Sequence, residues 1–328
     1  MIQSPSSKLK VAIVGLGQIG LLFDEEPKRQ EFGEIWTHLS AYLKLEELYE
    51  VVAAVDTDPS KFHVIKKRIP GIKCFLSIEE MLDNVDIDVV SVCTPDLYHL
   101  QCLRALVGRV RGIFLEKPVC GISEIEGASA LISDFKEMKT CIRVNYYKTH
   151  EPLFRKAIDY LSEQGSSYMS VKYSGPFEAV GSHALNLLVF LNPTIQCIKS
   201  FRFNHKEGDG VSAFFEFEEQ GLAELIYCGP RHNLIFELDV VGRDRRILLE
   251  KNFSSLKLFE YRPSLRYEGF HEIELSGEEN LISNTNRFTL HLKALAKEVR
   301  SNHPDYSNWD EAFKTQQLMM QISQEGYR

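Results

Sequence analysis

The sequence predicts an α/β protein of two domains, a doubly wound parallel sheet followed by an α+β domain on a mostly antiparallel sheet. Three observations carry that reading. Up to about residue 150, continuous apolar runs alternate with helical segments, the pattern of a parallel sheet covered on both faces. Beyond it, strands alternate apolar and polar residues across short glycine-containing turns, the pattern of an antiparallel sheet with one solvated face. The first strand also runs into Gly15, Gly17 and Gly20, the spacing of a Rossmann dinucleotide-binding turn. The expected division is residues 1–146 and 147–328.

In the first domain the expected strands are Val11–Val14, Val51–Val55, a weaker Ile72–Leu76, Ile87–Cys93, Gly112–Leu115 and Thr140–Asn145. Helices are expected at His38–Leu48, Pro59–Arg68, Ile78–Asn84, Tyr98–Leu106 and Ser123–Met138, and Ile19-Gly20-Leu21-Leu22 fits a helix start. Phe23–Thr37 is charged and holds Pro27 and Gly33. It reads as an insertion near the cleft mouth, either a solvated loop or a lid. In the second domain, helices Leu153–Gln164 and His183–Leu191 surround strand Tyr168–Ser174. Six strands follow: Ile198–Asn204, Ser212–Phe217, Ala223–Tyr227, Leu234–Val241, Arg246–Glu250 and Leu256–Tyr261. Turns at Gly208-Asp209-Gly210, Glu219-Gln220-Gly221 and Gly242-Arg243-Asp244 punctuate them. Helices Arg287–Arg300 and Trp309–Glu325 close the chain.

Composition narrows the function classes. The 328 residues suffice for two ordinary domains. With 44% hydrophobic and 26% charged residues the balance is globular, and no apolar stretch is long enough to span a bilayer. The net charge of −8, without a Lys/Arg-rich block, disfavours nucleic acid. Met1–Lys10 is polar and lacks a signal-type apolar region, so a short disordered lead-in and a cytoplasmic protein are expected. Seven cysteines without C-x-x-C spacing read as reduced core thiols, not a metal site.

Each glycine of the fingerprint has its own task. Gly15 permits the tight turn, Gly17 lets main-chain N–H groups approach a pyrophosphate, and Gly20 permits close packing. Gln18 and Ile19 fall within the same turn. Asp56 ends the second strand and suits the adenosine ribose hydroxyls, which favours NAD over NADP. The alternative is a helix cap, a role that suits Asp58 better. Thr94 and Pro95 follow the fourth strand, on the side where open parallel sheets bind ligands. His99 either contacts the cofactor or sits at a helix start. Glu116-Lys117-Pro118 ends strand five, where a Lys-Pro pair is extended or cis. Lys117 either points into the cleft, to donate to a substrate oxygen, or lies at the surface beside a turn.

Together, Gly15-x-Gly17-x-x-Gly20, Thr94-Pro95-x-x-x-His99 and Glu116-Lys117-Pro118 resemble the Gfo/Idh/MocA oxidoreductase family. Asn145-Tyr146-Tyr147-Lys148-x-x-x-Pro152 is similar to the family's domain crossover, with Lys148 where an arginine is common. Gly181-Ser182-His183-Ala184-Leu185-Asn186 looks like the helix start that carries the family histidine, and Asp310-Glu311-Ala312-Phe313 like the last helix. The resemblance covers nearly the whole chain. It implies an N-terminal Rossmann dinucleotide-binding domain and a C-terminal α+β domain with a large, mostly antiparallel open sheet. That sheet would serve a homo-oligomer, dimer or tetramer.

The implied chemistry moves a hydride between nicotinamide and a sugar, sugar-nucleotide or cyclitol carbon, with a preference for a nucleotide-linked or modified sugar. Lys117 and His183 would be catalytic, and Lys117, Glu116 and His99 would also border the cofactor. Tyr147, Lys148 and Asn186 are the substrate-side candidates. One departure stands out. Many members carry an Asp four residues before the histidine, where this chain has Ala179. Asn186 replaces another Asp often found three residues after it. Two alternatives follow: a non-catalytic NAD-binding sensor or scaffold, and an NAD-dependent glycosidase. His183 would in the plainest alternative only cap its helix.

Overall fold

The computed structural model describes residues 7–27, 35–161, 166–206, 208–218, 221–281 and 288–325. Most of the expected lead-in, residues 28–34 of the insertion, the Glu219-Gln220 turn and the ends of two expected helices at Gln164 and Arg287 lie outside them. The chain forms two compact units, Met1–Asn145 with Thr285–Phe313, and Tyr146–Asn284 with Lys314–Arg328.

The first unit holds β1 (Leu9–Val14), β2 (Tyr49–Val55), β3 (Lys73–Phe75), β4 (Val89–Val92), β5 (Gly112–Leu115) and β6 (Cys141–Val144). They lie in the order β3-β2-β1-β4-β5-β6, and every pairing is parallel. β4, β5 and β6 are buried at every residue, as strands covered on both faces must be. The connecting helices are α1 (His38–Lys44), α2 (Phe62–Arg68), α3 (Ile78–Asn84), α4 (His99–Leu106) and α5 (Ile125–Met138). α8 (Thr289–Ser301) adds Leu292, Leu295 and Val299 to this core. Sheet order reverses between β1 and β4, so both strands end beside one crevice.

The helix after the glycine turn departs from expectation. Leu21 and Leu22 both donate to Gly17 O at 3.0 Å, closing one turn that passes into a 3-10 turn at Leu22–Glu25. α1 then donates its His38 N–H to Ile19 O (2.9 Å) and its Leu39 N–H to Gly20 O (3.2 Å). His38 and Leu39 therefore bond where the next residues of an uninterrupted helix would. The chain leaves this helix after Leu22 and re-enters it at His38, so one helical turn is built from two segments separated in sequence. Thr37 caps the re-entry, accepting from Ser40 N at 3.1 Å. Buried Asp24 accepts from both Thr37 Oγ1 and Ser40 Oγ, tying the exit to the re-entry.

The second unit holds β7 (Ser166–Tyr173), β8 (Gln196–Phe203), β9 (Gly210–Phe217), β10 (Gly221–Tyr227), β11 (Phe236–Gly242), β12 (Arg245–Glu250), β13 (Ser255–Pro263) and β14 (His271–Asn280). Their order is β14-β13-β12-β11-β7-β10-β9-β8. β7 and β10 run parallel, and the other pairings are antiparallel. One face carries Met169, Val171, Phe215, Leu225, Leu238, Val240, Ile247 and Leu249 into the core. α6 (Pro152–Leu161), α7 (Ser182–Leu191) and the later part of α9 (Ser307–Glu325) cover it with Phe154, Leu185, Leu188, Leu318 and Ile322. Sequence patterning had no strand for β14. It is an edge strand exposed at nearly every residue, and Glu272, Glu274, Glu278 and Glu279 hide its period. Charged edges of this kind block strand-on-strand aggregation.

Candidate cofactor and active site

β1 ends at Val14, and Gly15 follows with φ +92°, a left-handed conformation that only glycine adopts without strain. A Cβ on Gly20 would lie 2.2 Å from Gly15 O, so the turn closes on itself only without a side chain there, and a Cβ on Gly15 would lie 2.8 Å from the Cys93–Thr94 main chain. At Gly17 a Cβ would meet nothing within 4 Å. Gly17 borders a cleft of about 520 Å³, whose wall also includes Gly15, Asp56, Thr94 and Pro95. A side chain at Gly17 would take up room in that cleft, which makes the turn a cradle fitted to a dinucleotide phosphate. The helix that would back the cradle contributes only the single turn described above.

Asp56 follows β2, and its carboxylate is buried. It accepts from Leu16 N (2.7 Å), Asp58 N (2.8 Å) and the Lys61 ammonium at 3.0 and 3.1 Å. Asp58 takes the cap, accepting from Ser60 N at 3.0 Å. The long gap from Gly20 to Asp56 has a physical explanation. Without the 15 residues of Phe23–Thr37, the gap returns to about 20, the usual Rossmann spacing.

The structure brings Gly15, Gly17, Asp56, Thr94 and Pro95 to one cleft and sets other sequence candidates elsewhere. Gln18 is exposed, while Ile19 is half-buried and bonded through its carbonyl to α1. His99 is buried, its Nδ1 2.7 Å from Pro118 O and its Nε2 2.9 Å from Thr94 O. It therefore straps the turn after β4 to the turn after β5. The Lys117–Pro118 peptide is cis.

Glu116 is buried behind that turn. Its Oε1 faces His38 Nε2 at 2.7 Å and accepts from Asn145 Nδ2 at 2.6 Å, and its Oε2 accepts the Lys117 N–H at 3.2 Å. Burial pushes the Glu116 carboxyl up, but hydrogen bonds from His38 and Asn145 and the nearby positive charge outweigh it and hold the group below the usual range. The other His38 nitrogen lies 2.6 Å from Ser91 Oγ. Sequence reasoning missed this network, although His38 was visible as a histidine opening an expected helix. It also missed Lys61, whose signal was a lysine one turn past Asp56.

In the second unit, His183 opens α7 just after the π-helical turn Phe177–Gly181, which contains Ala179. The imidazole is 7% exposed and lies between Tyr146 and Tyr147, ring centroids 5.5 and 4.8 Å away. Asn186, one turn on, donates to Thr315 Oγ1 at 3.1 Å. Lys148 is buried, with its ammonium 2.7 Å from Glu151 Oε1 and 3.0 Å from Asn252 Oδ1. It also lies over the Phe236 and Phe253 rings, at 4.8 and 5.0 Å.

A glycine turn at the switch point of a parallel sheet, with an acid after the second strand, defines a dinucleotide-binding Rossmann domain. Residues 9–146 match the Gfo/Idh/MocA family model, described as an oxidoreductase family with an NAD-binding Rossmann fold. An inositol 2-dehydrogenase of Arthrobacter sp. strain FB24 is 28% identical over 111 residues, 34% of this chain and 28% of that protein. The chain spans about a quarter of the length of the curated relatives it matches. Two solved structures share the fold along almost the whole chain. A 3-ketoreductase from Actinomadura kijaniata, in complex with NADP, has a TM-score of 0.73 at 17% identity, covering 97% of this chain and 98% of that one. A UDP-N-acetylglucosamine 3-dehydrogenase from Acidithiobacillus ferrooxidans has a TM-score of 0.74 at 13% identity, covering 96% and 97%. Among the described residues, no helix is long and apolar enough to cross a membrane.

Proposed function

We propose that the protein is an NAD-dependent oxidoreductase acting on a carbinol or keto carbon of a sugar, sugar nucleotide or cyclitol. The observation that carries this is the cleft of Gly15, Gly17, Asp56, Thr94 and Pro95, in a domain that matches an NAD-binding oxidoreductase family model. Bound nicotinamide supplies two-electron hydride chemistry. This chain's residues handle the proton and the oxygen. His183 serves as base or acid at the substrate hydroxyl, since imidazole exchanges protons near neutral pH. The Lys117 ammonium donates to that oxygen and stabilises its developing charge. Tyr146 and Tyr147 wall the imidazole on two sides. The substrate class rests on the relatives' names, an inositol dehydrogenase, a UDP-N-acetylglucosamine 3-dehydrogenase and a 3-ketoreductase.

The test is turnover of purified protein with NAD and a panel of sugars, sugar nucleotides and cyclitols. A change in the nicotinamide absorbance band is expected. NAD binding without turnover on any of them would support the second reading, a sensor, which Ala179 favours as the replacement of a common family acid. Seven free cysteines suit a reducing, cytoplasmic location.

The proposal includes a homo-oligomer built through the outer face of the eight-stranded sheet. That face exposes Phe214 and Leu222, which alternate with buried neighbours along β9 and β10, and the edge strand β14 adds exposed Ile273 and Leu275. Light scattering is expected to give a dimer or tetramer, and Leu222→Glu to shift it towards monomer. A monomeric wild type would remove this part of the proposal.

A further inference from the structure

Between β12 and β13, three consecutive residues have left-handed backbones: Lys251 (φ +54°), Asn252 (φ +55°) and Phe253 (φ +66°). None of them is glycine. Asparagine visits this region readily because its short polar side chain bonds locally, whereas lysine and phenylalanine are strained there. Such backbone persists only where its surroundings hold it, and it gathers where a protein needs a fixed geometry. Two contacts hold it here. Phe253 is buried, stacked on Phe154 with ring centroids 6.0 Å apart and edge-on to Phe236 at 5.3 Å. Asn252 Oδ1 accepts from Lys148 Nζ at 3.0 Å.

Lys148 links this turn to His183. Its side chain is 5% exposed, and its ammonium also pairs with buried Glu151 Oε1 at 2.7 Å. The remaining surroundings are aromatic: the rings of Phe236, Phe253 and Tyr147 lie 4.8, 5.0 and 5.6 Å from Nζ. Glu151 lies three residues along the same segment, so Asn252 is the polar partner that ties Lys148 to the sheet. A buried ammonium is costly to leave short of a partner, so Asn252 fixes where it sits. Tyr147 directly precedes Lys148 in the 3-10 turn Tyr147–His150, and its ring lies 4.8 Å from that of His183. A turn that only closed the hairpin would need no such acceptor, and glycine would serve it better.

Resting on the reading of His183 as acid or base, we propose that Asn252 is a positioning residue for that imidazole. Held in its left-handed turn, it fixes Lys148, and Lys148 fixes the Tyr147 ring against His183. The strain in the turn is the cost of bringing an amide oxygen inward at that point.

Two variants of the full chain test this. Asn252→Gly suits the backbone and removes the acceptor, while Asn252→Asp keeps an acceptor on a residue that also tolerates the left-handed region. The imidazole C–H resonances of His183, assigned by their loss in His183→Gln, report the nearby Tyr147 ring without any turnover. Asn252→Gly is expected to stay folded and to displace them, and Asn252→Asp to leave them near the wild-type positions. Unmoved resonances in Asn252→Gly, equal displacement in both variants, or collapse of the Asn252→Gly melting temperature would each overturn the proposal. With a turned-over substrate, Asn252→Gly is expected to lower kcat roughly tenfold at nearly constant KM, the signature of a misplaced group. Asn252→Asp is expected to recover most of that loss, and wild-type kcat in Asn252→Gly would count against the role. Displaced resonances in a protein whose wild type turns nothing over would keep the positioning of His183 and remove its catalytic reading.

Discussion

Lys117→Ala is expected to lower turnover roughly 10²–10³-fold, the effect of removing one donor aimed at a developing oxyanion. The local structure explains why so flexible a residue can act there. Lys117 directly follows the buried β5–Glu116 segment, and its own N–H is bonded to Glu116 Oε2. The next residue is anchored by His99 at Pro118 O. The main chain is therefore fixed on both sides of the lysine. The substitution removes a half-buried side chain without exposing the core, so the fold and NAD affinity are expected to survive. Parallel titration of NAD separates the two effects: turnover lost with binding kept is the expected pair. Wild-type turnover in Lys117→Ala would end the catalytic assignment.

Glu116→Ala is expected to have the largest effect on stability, about 3–5 kcal/mol, since two buried hydrogen-bonding partners lose their charged acceptor, at about 1–3 kcal/mol each. The substitution strands Asn145 Nδ2 and the His38 nitrogen that face Glu116 Oε1. It also releases one strap on the turn that carries Lys117. Glu116→Gln, close in shape, is expected to cost less at neutral pH and to alter the acid limb of stability. The folded-state pKa of Glu116 lies below the ordinary glutamate value. Its contribution is therefore complete above the unfolded value of about 4.3 and is lost as pH falls through the lower folded value. Urea unfolding followed from neutral to acid pH measures this, and Glu116→Gln should show a shallower decline than wild type. Identical declines would mean that the carboxylate contributes nothing to acid stability.

The α/β architecture was legible because both periodicities were strong. The buried runs at Val89–Val92 and Gly112–Leu115 could only be central parallel strands. The alternation in Phe236–Gly242 could only be a half-buried one. The cleft was legible where chemistry demands a residue type, as at Gly15, Gly17 and Asp56. It was illegible where a contact joins distant segments. Nothing local to His38 announces Glu116 across 78 positions, and nothing local to Asp56 announces the Leu16 N–H. β14 was missed for the opposite reason, since an exposed edge strand has no buried face to impose a pattern.

The helical turn built from two separated segments also sets how the first unit folds. A helix normally nucleates from neighbours in sequence, and that nucleation is its unfavourable step. Here the bonds from His38 to Ile19 and from Leu39 to Gly20 join residues 19 apart. The first helix of the domain has thereby become a long-range contact, and its closure carries the entropy of a loop. That entropy rises by only about 0.6 kcal/mol for each doubling of loop length. The junction between Leu22 and His38 is thus a place where chain can be added or removed cheaply, while folding speed registers each change.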